Sequence, residues 1–397
     1  MLSTNTARHH HSRFMGLLYT WSISNPSTRL PELEGLRAVA ALGIVLTHVS
    51  FQTALGSAIL ERFDFFVAVF FALSAFLLAR GTHGPGYYRR RLARIAPGYL
   101  VCVSVVMVAL PALSGITRTQ VLANLFLVQV YVPDGLVAGL THMWSLCIEV
   151  AFYLILPAYL ALRTRGRIVA LIVAVVCSVL WPWLIDVSFP LNLQTTPPSY
   201  IPWFAVGLVC AEVERYRLVR PVRNLRWRWI GPMLGLAVAW LASREWVGPR
   251  GLVHPSPAEF NARILLGALF AACFLVPFAL WPARKGERTA LSSAVLTALG
   301  RWSYGIFLWH VAVLDIAFPV LGVRMFSGGP VDFVLVLIFT VAVSVAVAYV
   351  SYELVEKPAS RLIRQGWPTP RTQPAQSPGN PPHNSPPATV PGQATAP

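Results

Sequence analysis

The sequence is divided into about ten apolar runs, most of them near 20 residues long. About 20 apolar residues cross the ~30 Å hydrocarbon core of a bilayer as one helix, whereas a membrane β-barrel shows shorter, alternating segments. Composition agrees, because 55% of the 397 residues are hydrophobic and 12% are charged, against roughly 25% charged residues in soluble domains. The sequence therefore predicts an all-α, polytopic integral membrane helix bundle with ten spans, at 34–55, 63–79, 96–113, 144–162, 168–187, 200–212, 229–247, 262–282, 302–322 and 331–354.

The basic residues predict the orientation of this bundle. If the N-terminus is cytoplasmic, all but six of the 32 Lys and Arg residues fall on the inner side, and cytoplasmic loops carry an excess of these residues. Both termini are then cytoplasmic, and the protein is a multi-pass protein of the cell (plasma) membrane, surrounded by membrane lipids. Because these loops account for the net charge of +16, no nucleic-acid partner is predicted.

Composition also divides the chain into three regions. Residues 1–29 contain no long apolar stretch followed by a cleavage site, so they are predicted to be a cytoplasmic leader rather than a signal peptide. Residues 30–364 contain the spans and form one transmembrane domain. Residues 365–397 are rich in Pro, Ser and Gln and are predicted to be a disordered cytoplasmic tail.

The first span carries two ionisable side chains, Arg37 and His48. They are 11 residues apart, which is close to three helical turns and places them on one face, about 16 Å apart along the axis. Ionisable groups inside a span cost several kcal/mol unless they are paired or hydrated, so both are functional candidates. The alternative is that Arg37 anchors the helix at the inner interface and His48 forms a hydrogen bond between packed helices.

The fourth span carries Glu149 about one and a half turns beyond Trp144. This position predicts a depth similar to that of His48, and a buried carboxylate needs a partner. If the two residues face each other, the carboxylate orients the imidazole and raises its basicity, which prepares the imidazole to take a proton from a hydroxyl group. The alternative is that Glu149 pairs with a basic residue for packing only.

Two further features have open interpretations. Arg91 and Arg94 lie one helical turn apart on the inner side, and their guanidinium groups suit phosphate binding; an ordinary cytoplasmic basic cluster or a contact with anionic lipids would look the same. His310 lies near the middle of the ninth span and is either functional or a packed, hydrogen-bonded side chain. The five cysteines lack the spacing of metal ligands, and no metal site is predicted.

Six segments resemble, in order, the successive signatures of the acyltransferase 3 family of membrane O-acyltransferases. The resemblance runs from about Arg29 to Arg364. Each motif is weak alone, and the order of all six makes the resemblance specific. The segments are RLPELEGLRAVAALGIVLTHVS, FFVAVFFALSAFLLAR, YYRRRLARIAPGYL, HMWSLCIEVAFYLILP, LGRWSYGIFLWH and SYELVEKP.

The resemblance implies a fold, a reaction and residue roles. It implies ten helices, an acyl-coenzyme A donor used from the cytoplasm, and transfer of an acyl group, often acetyl, to a hydroxyl of a carbohydrate, lipid-linked or secondary-metabolite acceptor. Arg37 and His48 match the family's Arg-x10-His pair, in which the histidine is the catalytic candidate. Arg91 and Arg94 match an Arg-x-x-Arg motif associated with coenzyme A binding. Glu149 matches the first acidic residue of a Trp-Ser-Leu-x-x-Glu motif, and His310 matches a later histidine.

The sequence departs from these signatures at four positions. The residues present are Glu34, Ala38, Ala75 and Val150, where the family usually has Asp, Gly, Gly and a second acidic residue. Apart from the second acidic residue, the ionisable residues of the motifs are all present, so the departures affect the assignment to a subfamily rather than the resemblance to the family.

The functional hypothesis is acyl transfer with His48 as the general base, oriented by Glu149, and with Arg37, Arg91 and Arg94 binding acyl-coenzyme A, acetyl-coenzyme A in the simplest case. A covalent acyl-histidine intermediate is the alternative mechanism. A polytopic transporter or flippase that uses the histidine and the glutamate as a proton relay is the alternative function.

Overall fold

The computed structural model describes residues 30–365 apart from 82, 83, 85, 186–192, 220–225, 250, 252 and 285. The predicted leader at 1–29 and nearly all of the predicted tail lie outside the described residues. Regular structure in the described part is entirely helical and includes twelve helices of eight residues or more. They are α1 (Pro31–Gln52), α2 (Phe66–Arg80), α3 (Tyr87–Ala109), α4 (Arg118–Leu125), α5 (Trp144–Ala161), α6 (Thr164–Leu184), α7 (Ile201–Arg215), α8 (Ile230–Ala242), α9 (Pro257–Leu280), α10 (Ala294–Leu321), α11 (Pro330–Ser351) and α12 (Lys357–Gln365).

Eight helical segments among the described residues are long and apolar enough to cross a membrane. They correspond to α1, α2 with its preceding turn, α3, α5, α6, α9, α10 and α11 with α12. The predicted sixth and seventh spans correspond to α7 and α8, which have 15 and 13 residues. The all-helical membrane fold is therefore confirmed, whereas the count of ten spans and the orientation of the termini stay predictions.

The centre of the bundle is α1, which packs most extensively against α10 and also contacts α2 and α11. Two glycines allow α1 to pack closely against α10 and against the segment that precedes it. A Cβ added to Gly35 would lie 1.9 Å from the Leu291 carbonyl oxygen, and one added to Gly300 would lie 2.0 Å from the Glu34 carbonyl oxygen. Small residues allow membrane helices to approach this closely, so the face of α1 that carries Arg37 is held directly against α10.

The periphery of the bundle is apolar. Helices α6 and α11 are the least buried of the spanning segments in the described structure, and they expose large side chains such as Ile172, Leu180 and Ile338. Contiguous exposed apolar surface is unfavourable in water and suits contact with lipid chains. Helices α6 and α11 therefore lie at the periphery of the bundle.

The N-terminal end of α1 is fixed by a buried ion pair. Both guanidinium nitrogens of Arg228 bind the Glu32 carboxylate, at 2.9 and 3.0 Å. Arg228 also donates to the Trp281 carbonyl at 2.7 Å, and the Ala283 amide donates to Glu32 at 2.8 Å. Because every charged group here has several partners, the desolvation cost is offset, and α1 is tied to the α8 and α9 segments.

The last spanning helix ends in an irregular turn. Residues Tyr352–Glu356 form one π-helical turn between α11 and α12, a feature that is often found at functional sites. The turn buries Glu356, which is 5% exposed. A Cβ on Gly98 of α3 would lie 3.1 Å from Glu356 Cγ, so the glycine leaves room for the glutamate beside α3.

Candidate functional site

One face of α1 carries both predicted residues, as the spacing indicates. Arg37 Nε donates to Ser303 Oγ of α10 at 3.4 Å, and the rings of His48 and His310 of α10 have centroids 5.1 Å apart. The contacts follow the same order along both helices, so α1 and α10 run parallel. The shared face therefore has an arginine end and a histidine end.

The histidine end contains three imidazoles. His142 joins His48 and His310, with ring centroids 6.4 Å from His48 and 4.6 Å from His310. We call His48, His142 and His310 the histidine cluster. His142 and His310 are 3% and 0% exposed, whereas His48 is half-buried. In the described part of the chain, no group of three or more His, Cys, Asp or Glu side chains has an arrangement that could hold a metal ion.

The hydrogen bonds of the cluster identify free nitrogen atoms. His310 Nδ1 lies 2.8 Å from the Phe307 carbonyl oxygen. Because a carbonyl only accepts, Nδ1 carries the hydrogen and Nε2 keeps its lone pair in a neutral ring. His310 Nε2 and both nitrogens of His142 are buried without a hydrogen-bond partner in the described structure. Buried polar atoms are rarely left unpaired, so these nitrogens are candidates for contact with a bound molecule.

The histidine cluster borders a cavity of about 600 Å³. His48 and His142 line this cavity, which we call the histidine cavity, and His310 lies behind them. Its wall includes the aromatic rings of Trp144, Tyr200, Trp203 and Phe260, together with the polar side chains of Gln52 and Asp64. Aromatic surface with a few polar groups is typical of a small-molecule site.

Glu149 does not form the predicted pair with His48. Its carboxylate accepts a 2.5 Å hydrogen bond from Tyr153, whose hydroxyl is also 3.0 Å from Ser74 Oγ. No hydrogen bond joins Glu149 to His48 among the described residues. The physical reason is depth: the turn Thr141–Met143 before α5 places His142 beside His48, and Glu149 lies seven residues further along, about 10 Å toward the arginine end.

The arginine end contains Arg37, Arg91 and Arg94, which we call the arginine cluster. Arg37 is repelled by Arg94 and attracted by Glu34 and Glu149, and Arg91 is repelled by Arg90 and Arg94. Arg94 in turn attracts the buried Glu356 carboxylate. The structure therefore brings Arg37, Arg91, Arg94 and Glu149 together at one end of α1 and places His48 and His310 at the other.

Three residues that the sequence interpretation left aside belong to these groups. His142 stands two residues before the Trp144 motif, and its position at the start of α5 was a usable signal because it predicts the depth of His48. Tyr153 follows Glu149 by four residues, one helical turn. The third is Glu356, which the π-helical turn brings to Arg94 on α3.

The comparison with known families decides how this site is classified. The acyltransferase 3 family, described as an acyltransferase domain, matches residues 30–349. The chain belongs to this family. The resemblance found in the six motifs is thus confirmed, and the acyltransferase 3 assignment favours an enzyme over a transporter.

The curated relatives extend this assignment. Acyltransferase MdmB of Streptomyces mycarofaciens is 30% identical over 377 residues, which cover 84% of this chain and 92% of that protein. Nodulation protein 10 of Rhizobium leguminosarum bv. viciae is 25% identical, with 75% and 82% covered. Peptidoglycan O-acetyltransferase OatA of Listeria monocytogenes is 22% identical, with 83% of this chain and 55% of that protein covered. No solved structure is significantly similar. The acyltransferase 3 chain described here is an O-acetyltransferase-like enzyme.

Proposed function

We propose that this protein transfers an acyl group, acetyl in the simplest case, from cytoplasmic acyl-coenzyme A to a hydroxyl group of a carbohydrate, a lipid-linked glycan or a secondary metabolite. The family and the O-acetyltransferase relatives support O-acyl transfer. The observation that carries the proposal is the face of α1, which connects the arginine cluster to the histidine cavity.

The donor binds at the arginine cluster. Guanidinium groups hold phosphates through paired, charge-assisted hydrogen bonds, and Arg91 and Arg94 lie in the first two turns of α3. Arg37 is repelled by Arg94, so a bound phosphate relieves an unfavourable contact. With the N-terminus inside, as the arginine distribution predicts, this end of the bundle faces the cytoplasm of a cell whose plasma membrane holds the protein.

The chemistry takes place at the histidine cavity. An extended pantetheine arm matches the scale of the ~16 Å between Arg37 and His48 and brings the thioester to the cavity. His48 takes the proton of the acceptor hydroxyl as its oxygen attacks the acyl carbon, and a C–O bond forms. The C–S bond then breaks, and the coenzyme A sulfur leaves as a thiol after receiving that proton.

Glu149 acts at the donor end in this proposal. It is bonded to Tyr153 and attracts Arg37, so its carboxylate sets the position of the Arg37 guanidinium. The catalytic role predicted for Glu149 is thereby replaced with a positioning role, while His310 supports His48 from behind.

Thiol release from acetyl-coenzyme A in membranes that contain the acceptor tests the proposal. His48→Ala is expected to lower the rate by about 10² to 10⁴, the contribution of a general base, while the protein still folds. Cys177→Ala is the control, because Cys177 lies exposed on α6. Wild-type thiol release in the His48→Ala variant would refute the assignment of His48.

The acceptor is identified by mass spectrometry of surface glycans, lipids and secreted metabolites from a strain that lacks the protein. A lost acyl mass on one class of molecule is the expected result. Substrate movement without any coenzyme A release would instead support the transporter hypothesis.

A further inference from the structure

We infer that His142 stabilises the oxyanion that forms on the acyl carbonyl oxygen, by donating a hydrogen bond from its imidazole N–H into the histidine cavity. This inference rests on the proposed acyl transfer and adds a second group to it. His48 removes a proton from the acceptor, and His142 stabilises the charge that appears on the donor.

The environment of His142 is the first argument. The side chain is 3% exposed and lines the cavity next to His48. The Phe307 and Leu308 backbones lie close to the ring, yet neither ring nitrogen makes a hydrogen bond of normal geometry in the described structure. A neutral imidazole always carries one N–H donor. A buried, unpartnered donor costs about 1–3 kcal/mol, and a molecule in the cavity that accepts from His142 removes that cost.

The rigidity of His142 is the second argument, because an oxyanion donor must be held in place before the reaction. The imidazole packs edge-on against Phe307, with ring centroids 5.0 Å apart, and against His310 at 4.6 Å. Its backbone carbonyl accepts a hydrogen bond from Ser145 Oγ at 3.2 Å, which connects the turn Thr141–Met143 to α5. The ring is therefore held in place by these neighbouring rings and by the hydrogen bond to its own backbone.

The division of roles within the cluster is the third argument. His310 is bonded to Phe307 through Nδ1 and does not line the cavity, so it cannot contact the thioester directly. His48 and His142 both line the cavity, with ring centroids 6.4 Å apart. An acceptor hydroxyl that bonds to His48 and a carbonyl oxygen that bonds to His142 can then lie side by side in the cavity, next to the two rings.

The reaction remains balanced with this assignment. As the acceptor oxygen attacks, the electron pair of the C=O π bond moves onto the carbonyl oxygen, which accepts the His142 N–H hydrogen bond. The pair returns when the C–S bond breaks. His142 keeps its proton throughout, and the only proton transferred goes from the acceptor hydroxyl through His48 to the departing sulfur.

Two substitutions separate this role from a structural one. His142→Met fills a similar volume without an N–H group, whereas His142→Gln keeps an amide N–H donor. His142→Met is expected to lower kcat by about 10² to 10³, the cost of one oxyanion donor, with the KM for acetyl-coenzyme A unchanged. His142→Gln is expected to retain about a tenth of the wild-type kcat or more. If only the glutamine variant folds, this retained rate still tests the inference.

The pH dependence of the rate provides a second measurement, which a purely structural role of His142 would not alter. The limb of the rate profile that reports His48 should be the same in both variants and in the wild type, because His142 does not exchange its proton. The other ionisable side chains that line the cavity are Glu61, Arg62, Asp64, Tyr200, His254 and Arg263, and they are unchanged in this comparison.

Three results would overturn the inference: equal kcat values for folded His142→Met and His142→Gln, a wild-type kcat in His142→Met, or a lost pH limb, which would make His142 the base. If the wild type itself releases no coenzyme A while the acceptor is present, the proposed function fails and the inference falls with it. Thiol release by the wild type together with any of the three results would reject only the role of His142.

Discussion

The two ends of the α1 face solve different physical problems with different side chains. The arginine cluster contains permanently charged groups, surrounded by the carboxylates of Glu34, Glu149 and Glu356. The histidine cluster contains three imidazoles, two of which line the histidine cavity. Guanidinium groups remain charged at any accessible pH, whereas imidazole can be neutral and exchange protons.

This difference explains why both groups lie on the same helix. A charge deep in a membrane protein is costly, which agrees with the position of the proposed donor site toward one end of the bundle. Proton transfer requires groups that can be neutral when buried, and these lie about 16 Å further along the axis. Arg37 and His48 both lie on α1, so helical geometry fixes the distance between the two ends.

The largest expected effect concerns a third charged group at the arginine end, the buried Glu32–Arg228 pair. Glu32→Gln leaves Arg228 buried without its carboxylate, since the two side chains are 5% and 3% exposed. Removing one partner of such a pair typically costs about 3–5 kcal/mol. We expect a marked fall in the thermal unfolding temperature of the purified protein in detergent.

The half-exposed pair Glu353–Lys357, at 2.6 Å, provides the matched control. Glu353→Gln should cost at most about 1 kcal/mol, as exposed pairs usually do. If Glu32→Gln unfolds at the same temperature as the control variant, then the pair does not hold α1, and its charges belong with the donor-binding groups instead.

The next largest effect should separate donor binding from proton transfer. Arg94→Gln removes one charge that we assign to a coenzyme A phosphate, and a hydrogen bond to a charged group contributes about 1.5–3 kcal/mol. The KM for acetyl-coenzyme A should rise about 10- to 100-fold, with kcat changed little. Steady-state thiol release at varied acetyl-coenzyme A concentration measures both constants.

Arg361→Gln is the control for this variant, because Arg361 is exposed on α12, on the same predicted side of the membrane. A rise in the acceptor KM with an unchanged donor KM would reverse the assignment of the two ends. A salt dependence of the donor KM that disappears in Arg94→Gln would sharpen it, since added ions screen such contacts.

Much of this arrangement can be predicted from the sequence because it is local. The apolar runs predict α1, α5 and α10 to within a few residues, except that α10 begins at Ala294, eight residues before the predicted span at 302. The 11-residue spacing of Arg37 and His48 predicts their shared face, because helical geometry alone decides it.

The partner of Glu149 could not be predicted in the same way. The sequence interpretation counts the depth of Glu149 from Trp144 and does not include the turn Thr141–Met143 that precedes α5. In the structure this turn places His142, not Glu149, at the depth of His48. The pairing of residues across a bundle depends on how the helices pack. A sequence predicts the length of each helix more directly than it predicts how far one helix is displaced along its axis relative to another. Tyr153, four residues after Glu149, shows that a local partner can replace a predicted distant one.

The smallest expected effect tests this local partner. Tyr153→Phe removes the hydroxyl that donates to Glu149 and contacts Ser74. A net hydrogen-bond contribution of about 0.5–1.5 kcal/mol corresponds to a 2- to 10-fold change. We expect this change in the KM for acetyl-coenzyme A, because a Glu149 carboxylate without its donor turns toward Arg37 and competes with the phosphate for that guanidinium.

Tyr88→Phe is the matched control, since the exposed Tyr88 hydroxyl donates to the Leu154 carbonyl at 3.1 Å. A change in kcat and in its pH profile, with the donor KM unaltered, would instead place the Glu149–Tyr153 pair with the histidine cluster and restore the originally predicted connection between Glu149 and His48.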